Sequence, residues 1–296
     1  MRKISSNIVG VGKNRDENLA IRDAINYLPI ENLINSDDCV VIVANFVNMN
    51  PPDKAVIVGP QSLKEVINIV KEKCPKRLVI AGGSASTDTN SVINEFSFDK
   101  IIKDENVEFV DLNKGPYTNL YLGGNVIKET KINKIINEAT IIISFTQLKH
   151  HEEAAMSASI KNIALSFPPA EIHGYPKKNL GIHDDLHDFI YRMGKTIPID
   201  LSILSLNPAM VGTGPSKGIA VKSGIVLAGL DSVAVDTIGA RLLGFKPQAV
   251  NYLFNLIKDK IGEGNIENID LKGDKLANLE KEFSKLAYGT AFSVDE

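Results

Sequence analysis

Cysteine is scarce in this 296-residue chain: Cys39 and Cys74 are its only thiols. Two thiols cannot supply the four thiolates that an iron–sulfur cluster usually takes, so no cluster is expected within this chain. A disulfide framework is equally unsupported. Both residues lie in or beside apolar segments, where free thiols behave as small hydrophobes. Long apolar runs are missing too. The longest, such as Ala139 to Phe145, fall far short of the roughly 20 residues that cross a bilayer. The start, Met1-Arg2-Lys3-Ile4-Ser5-Ser6-Asn7, has no apolar core of a secretory signal, so a cytoplasmic protein is expected. Charge of one sign is lacking as well. A formal net charge of −3 gives no support for a nucleic-acid partner, and neither nucleic acid nor membrane is expected as a partner.

What is present is an alternation of strand and helix signals. Cys39 to Val47 is a continuous apolar run, as in strands buried on both faces. After Pro60, apolar residues at Leu63, Val66, Ile67 and Val70 have helical spacing. Leu78 to Ala81 reads as the next strand, and Thr87 to Thr89 supply caps for a helix reaching Phe96. Strands are expected over 107–112, 140–145, 199–206 and 225–228, with a helix over 131–139 and another over 231–243. Leu276, Leu279, Phe283 and Leu286 suit a surface-packed amphipathic helix. The pattern predicts an α/β protein with a mainly parallel sheet and helices on both faces. Residues 1–296 are read as a single domain. The alternative is two α/β subdomains around a cleft, divided near 110–130. The segment 167–180, with its three prolines, is a candidate lid or site-lining loop.

Chemistry-bearing residues gather near the ends of these runs, where α/β proteins place ligands. Leu148-Lys149-His150-His151 is expected to follow the strand ending at Phe145. Lysine can oppose an anion, and histidine can transfer protons or bind metal. Adjacent side chains diverge, so one of the two histidines should face a given site. Lys161 and Asn162 fall on the following helix, Lys161 toward its far end if that helix starts close to His151. His183 and His187 stand four apart in His183-Asp184-Asp185-Leu186-His187, the spacing by which a helix presents two imidazoles to zinc. A polar helix start explains them as well. Gly82-Gly83-Ser84, after a strand, could cradle an anion with backbone N–H groups. Gly10-Val11-Gly12-Lys13 reads as a tight turn. Gly212 and Gly214 belong to a turn-rich loop that permits close approach to a ligand. Asp231 is placed as a helix N-cap, while Asp236, inside that helix, needs another partner.

Taken together, Leu148-Lys149-His150-His151, Ile160-Lys161-Asn162, Gly212-Thr213-Gly214-Pro215 and Ala228 to Asp236 resemble the domain of unknown function family 362 of bacteria and archaea. The resemblance is strongest over 148–245 and traceable over 40–84. It implies a site at Lys149, His151, Lys161, Asn162, His183 and Asp231, with Asn45, Gly83 and Ser84 as neighbours. Some family members carry a ferredoxin-like module, which makes a separate iron–sulfur protein a candidate partner. Two positions depart from the family pattern: a strand lysine is Val43 here, and an aspartate is Ser205.

The resulting expectation is an enzyme that binds a small anionic molecule in a Lys/His/Asn cleft. Lys149 and Lys161 would oppose its charge, and His151 would be the acid/base group or a ligand to a divalent metal. The alternatives are a non-catalytic binding or sensing protein, and an accessory partner of an iron–sulfur electron-transfer protein.

Overall fold

The structure is a computed structural model that describes residues 6–295. Along the chain come β1 (Ile8–Lys13), α1 (Glu17–Asn26), β2 (Cys39–Ala44), α2 (Pro60–Lys71), β3 (Arg77–Gly82), α3 (Thr89–Glu95), α4 (Phe98–Asp104) and β4 (Glu108–Asp111). A separate antiparallel hairpin of β5 (Tyr117–Tyr121) and β6 (Glu129–Asn133) follows. Next are β7 (Ile141–His151), β8 (Ala155–Ser157), α5 (Ser159–Ser166), α6 (Ala170–His173), α7 (Leu186–Thr196), β9 (Leu201–Val211), β10 (Ile219–Val221) and β11 (Ile225–Gly229). The chain ends with α8 (Ser232–Leu242), α9 (Asn251–Lys258), β12 (Asp270–Lys272) and α10 (Leu276–Tyr288).

The large sheet has the order β12-β1-β11-β9-β7-β2-β3-β4, with β8 and β10 as short hairpin arms on β7 and β9. Five neighbours, β9-β7-β2-β3-β4, run parallel, while β11 lies antiparallel to β9 and β1. Strand alternation sends side chains to two cores. Val40 and Ile42 pack with α1, α2 and α4, whereas Val41 and Val43 face α5, α7 and α8. From β2 the chain winds outward through β3 to β4, then returns to β7 and winds the other way to β9. The reversal between β2 and β7 is a topological switch point, where open α/β sheets leave a crevice at the carboxyl ends of their strands.

Local chemistry accounts for the individual elements. Pro60 at the first position of α2 brings a preset φ and no missed hydrogen bond. Asp231 Oδ1 accepts from Val233 N at 2.9 Å and caps α8. In α10, Leu279 and Phe283 are buried while Leu286 is exposed. Glu280 on the same helix is buried against Arg241 of α8 at 2.6 Å.

Several expectations change. Residues 131–139 form the end of β6 and a short 3-10 turn instead of a helix. Gly10 and Gly12 lie within β1, not in a turn. A Cβ at Gly12 would sit 1.8 Å from Ala20 O, so glycine lets α1 press onto the strand. Cys74 is exposed rather than packed among hydrophobes. Among the described residues no helix is long and apolar enough to cross a membrane.

Candidate functional site

β7 does not end at Phe145. Pairing with β8 and β9 carries it through the polar residues to His151, so Lys149, His150 and His151 are strand residues. Alternation therefore sorts them. Lys149 and His151 share one face and line a cleft of about 290 Å³ at the carboxyl ends of β2, β3 and β7. His150 faces the other way, where Leu243 O lies 3.3 Å from Nε2 and Nδ1 accepts from Gly212 N.

Other elements close the cleft. Lys161 stands in the first turn of α5, not at its far end, because the helix begins at Ser159. Asn162 ties that turn to the sheet, its Nδ2 donating to Val43 O at 3.0 Å and Ser144 Oγ at 3.1 Å. Below the turn sits Asp236, whose carboxylate accepts from Ser159 N at 2.9 Å and Ile160 N at 3.0 Å. An acid inside α8 thus caps α5. Asn45, just past β2, braces the facing segment by accepting from Val58 N and donating to Val56 O. The segment after α6 adds Lys177, Lys178 and His183.

Four lysines and two glutamates line the cleft: Lys149, Lys161, Lys177 and Lys178, with Glu152 and Glu153. Glu153 is engaged at the rim, accepting from Lys178 at 2.8 Å and contacting His183 Nδ1. The deeper lysines have no carboxylate in contact among the described residues. Lys149, 3 % exposed, donates to Val56 O at 2.8 Å. Lys177, 1 % exposed, donates to Leu165 O at 2.9 Å and to Gly83 O and Ser166 O at 3.3 Å. Lys161 Nζ has no hydrogen-bond partner among the described residues.

Burial disfavours each charge. It lowers Lys149 to about 7, helped by the nearby charge of Lys161. It lowers Lys161 to about 8 against the opposing pull of Glu153. Lys177 is pushed down to about 7 by the same cause. Its three carbonyl acceptors nevertheless match the three N–H bonds of an ammonium, so Lys177 is the best fitted to stay charged. Burial and the surrounding lysines take His151 down to about 2. Its Nδ1 accepts from Glu153 N at 3.1 Å and Ala154 N at 3.2 Å. Backbone amides can only donate, so the ring proton resides on Nε2. His151 is therefore a neutral imidazole whose available group is an N–H donor.

The remaining sequence candidates separate from the cleft or close it. Gly83 lines it but offers no open anion cradle: a Cβ there would lie 2.9 Å from Asn113 Oδ1 and 3.1 Å from Lys177 Nζ. Ser84 is buried, its hydroxyl donating to Val47 O. Gly212 and Gly214 shape the turn against β7, and from that loop Pro215 reaches the cleft. Asp231 is occupied as a cap and also accepts from Glu263 N. His183 and His187 do not share a helix face, because α7 starts at Leu186. His183 faces Glu153, whereas His187 stacks on Tyr252 and accepts from its backbone N–H. Among the described residues no three His, Cys, Asp or Glu side chains converge on a metal position. Of the departures from the family pattern, Val43 is a buried strand residue and Ser205 donates to Glu17, outside the cleft. Lys177 and Glu153 went unseen in the sequence because their partners are distant backbone and side-chain groups. The faint signal was two lysines in a proline-rich loop already marked as a lid.

A family match spans residues 40–241, from β2 to the last turn of α8, and its family is described as domain of unknown function (DUF362). The chain belongs to the DUF362 family. Another similar protein is the thylakoid-associated protein sll1697 of Synechocystis sp., 21 % identical over 220 residues, which are 74 % of this chain and 67 % of that protein. Among solved structures, the lactate racemase apoprotein from Thermoanaerobacterium thermosaccharolyticum aligns with a TM-score of 0.47 and 18 % identity. That alignment covers 77 % of this DUF362 chain, which spans 55 % of the racemase's length.

The rim of this DUF362 cleft allows a mild test. Glu153→Gln is expected to cost less than about 1 kcal/mol in urea unfolding, as for exposed ion pairs. Burial lowers the His183 pKa, and the Glu153 carboxylate opposes that shift. The variant should therefore lower the His183 titration midpoint seen by NMR.

Proposed function

We propose that this protein binds a small anionic molecule in the cleft between β2 and β7. The observation that carries this reading is a set of three lysines, Lys149 and Lys177 buried and Lys161 half-buried, in one cleft with no carboxylate of the described residues touching them. Buried cations without counter-charge are costly. An anionic ligand supplies the missing charge and restores the lysine pKa values toward their usual range. Lys177 holds the loop wall, Lys149 and Lys161 oppose the ligand's charge, and His151 Nε2–H donates to a ligand oxygen. Asn162 and Asp236 position the first turn of α5, and with it Lys161.

Calorimetry with oxalate and with phosphate tests this. Binding is expected at pH 6.5, with proton uptake that grows above about pH 7, where the empty lysines begin to lose their protons. Affinity should fall toward pH 9 for the same reason. Lys161→Gln should lose about tenfold in affinity, or about 1.4 kcal/mol. If neither anion binds at millimolar concentration and pH 6.5, the reading is wrong.

A further inference from the structure

We propose that Lys149 is a nucleophile that forms a Schiff base with the carbonyl carbon of a small oxo acid, while Lys161 holds the carboxylate of that molecule. This rests on the anion-binding reading of the same cleft and adds a covalent step to it. The three lysines differ in how fully their N–H groups are used. Lys177 meets three carbonyl oxygens, matching an ammonium and leaving no lone pair to react. Lys161, half-buried and without a hydrogen bond among the described residues, is free to meet a carboxylate. Lys149 is buried in the cleft and has a single carbonyl partner, Val56 O. A neutral amine satisfies that partner with one N–H and keeps its lone pair. Desolvation beside a second cation is the setting that activates lysine nucleophiles, and here both act on Lys149.

The step balances within the cleft. The Lys149 lone pair forms a bond to the carbonyl carbon while the C=O π pair moves onto oxygen. Both protons of the attacking amine pass, through water, to that oxygen. Water leaves, and the nitrogen closes a double bond to carbon, so amine plus carbonyl gives imine plus water with no oxidant or reductant. His151 Nε2–H, two residues along the same strand face, donates to the oxygen as negative charge develops on it.

Glyoxylate is the probe, being the smallest molecule that carries both an aldehyde and a carboxylate. The full chain is incubated with glyoxylate and cyanoborohydride at pH 7, and adducts are mapped by intact mass and peptide sequencing. One equivalent on Lys149, suppressed by oxalate and absent in Lys149→Met, is expected. Trapping of acetaldehyde, which lacks the carboxylate, should be about tenfold slower, and Lys161→Gln should remove that difference. Adducts on Lys161, or scattered over surface lysines at the rate of free lysine, overturn the proposal. If oxalate still binds in that case, the anion site stands and only the nucleophile falls. If neither oxalate nor phosphate binds, both fall.

Discussion

Replacing Lys149 by methionine should make the empty protein more stable and abolish its response to anions. Methionine fills nearly the same volume without a charge to bury. The ammonium of Lys149 is disfavoured in the folded state, where its pKa is about 7 against an ordinary 10.5. Below pH 7 both folded and unfolded chains carry that proton, and the full penalty is present. Between about pH 7 and 10.5 the folded chain has already released it while the unfolded chain still binds it, so stability rises with pH across this window. The gain from Lys149→Met should therefore be on the order of 3 kcal/mol at pH 6 and fade toward pH 10. Urea unfolding at pH 6, 8 and 10 measures it. In the same variant oxalate should no longer raise the unfolding midpoint. A variant less stable than wild type at pH 6 would mean that Lys149 is already compensated in the empty protein. A native chain that carries such a cost is accounted for by a function that uses the lysine.

Asp236→Ala should act in the opposite direction. Its carboxylate is fully buried and accepts from two amides at the start of α5. Burial pushes its pKa up to about 7, against the downward pull of those amides. Alanine leaves two buried N–H groups without partners and a small void, at a combined cost of about 4 kcal/mol. Asp236→Asn keeps the shape and one acceptor, and should cost about half as much. Because α5 carries Lys161 and Asn162, both variants should also weaken oxalate binding, in the order of their instability. Unaltered unfolding in Asp236→Ala would show that water or another side chain satisfies these amides. Unaltered oxalate affinity would show that Lys161 holds its place without the cap.

The buried half of the fold was readable because burial leaves a local trace. β2, β3 and the start of β7 are continuous apolar runs, and α2 repeats at helical spacing after its proline. What failed locally depended on partners remote in sequence. Ile132, Ile135 and Ile136 have helical spacing, yet Ile132 pairs with Thr118 in a separate hairpin. The polar stretch from Thr146 to His151 reads as a loop, yet β8 and β9 hold it in the sheet. Lys149, Lys161 and Asn162 were found through motif position and family resemblance. No single pattern along the chain could foretell that Lys177 meets carbonyls at residues 83, 165 and 166, or that Asp236 caps a helix beginning 77 residues earlier.

The place of β1 bears on how the molecule comes off the ribosome. This first strand pairs with β11 and β12, so Ile8–Lys13 finds its partners only after residues 225–272 have emerged. The parallel half that carries the cleft needs no such wait, since β2, β3, β4, β7 and β9 all come from residues 39–211. The DUF362 match over 40–241 covers that half and stops short of the edge formed by β1, β12 and α10. Synthesis thus builds the binding half as a contiguous block before this flank closes, with β1 inserted between the later strands β11 and β12.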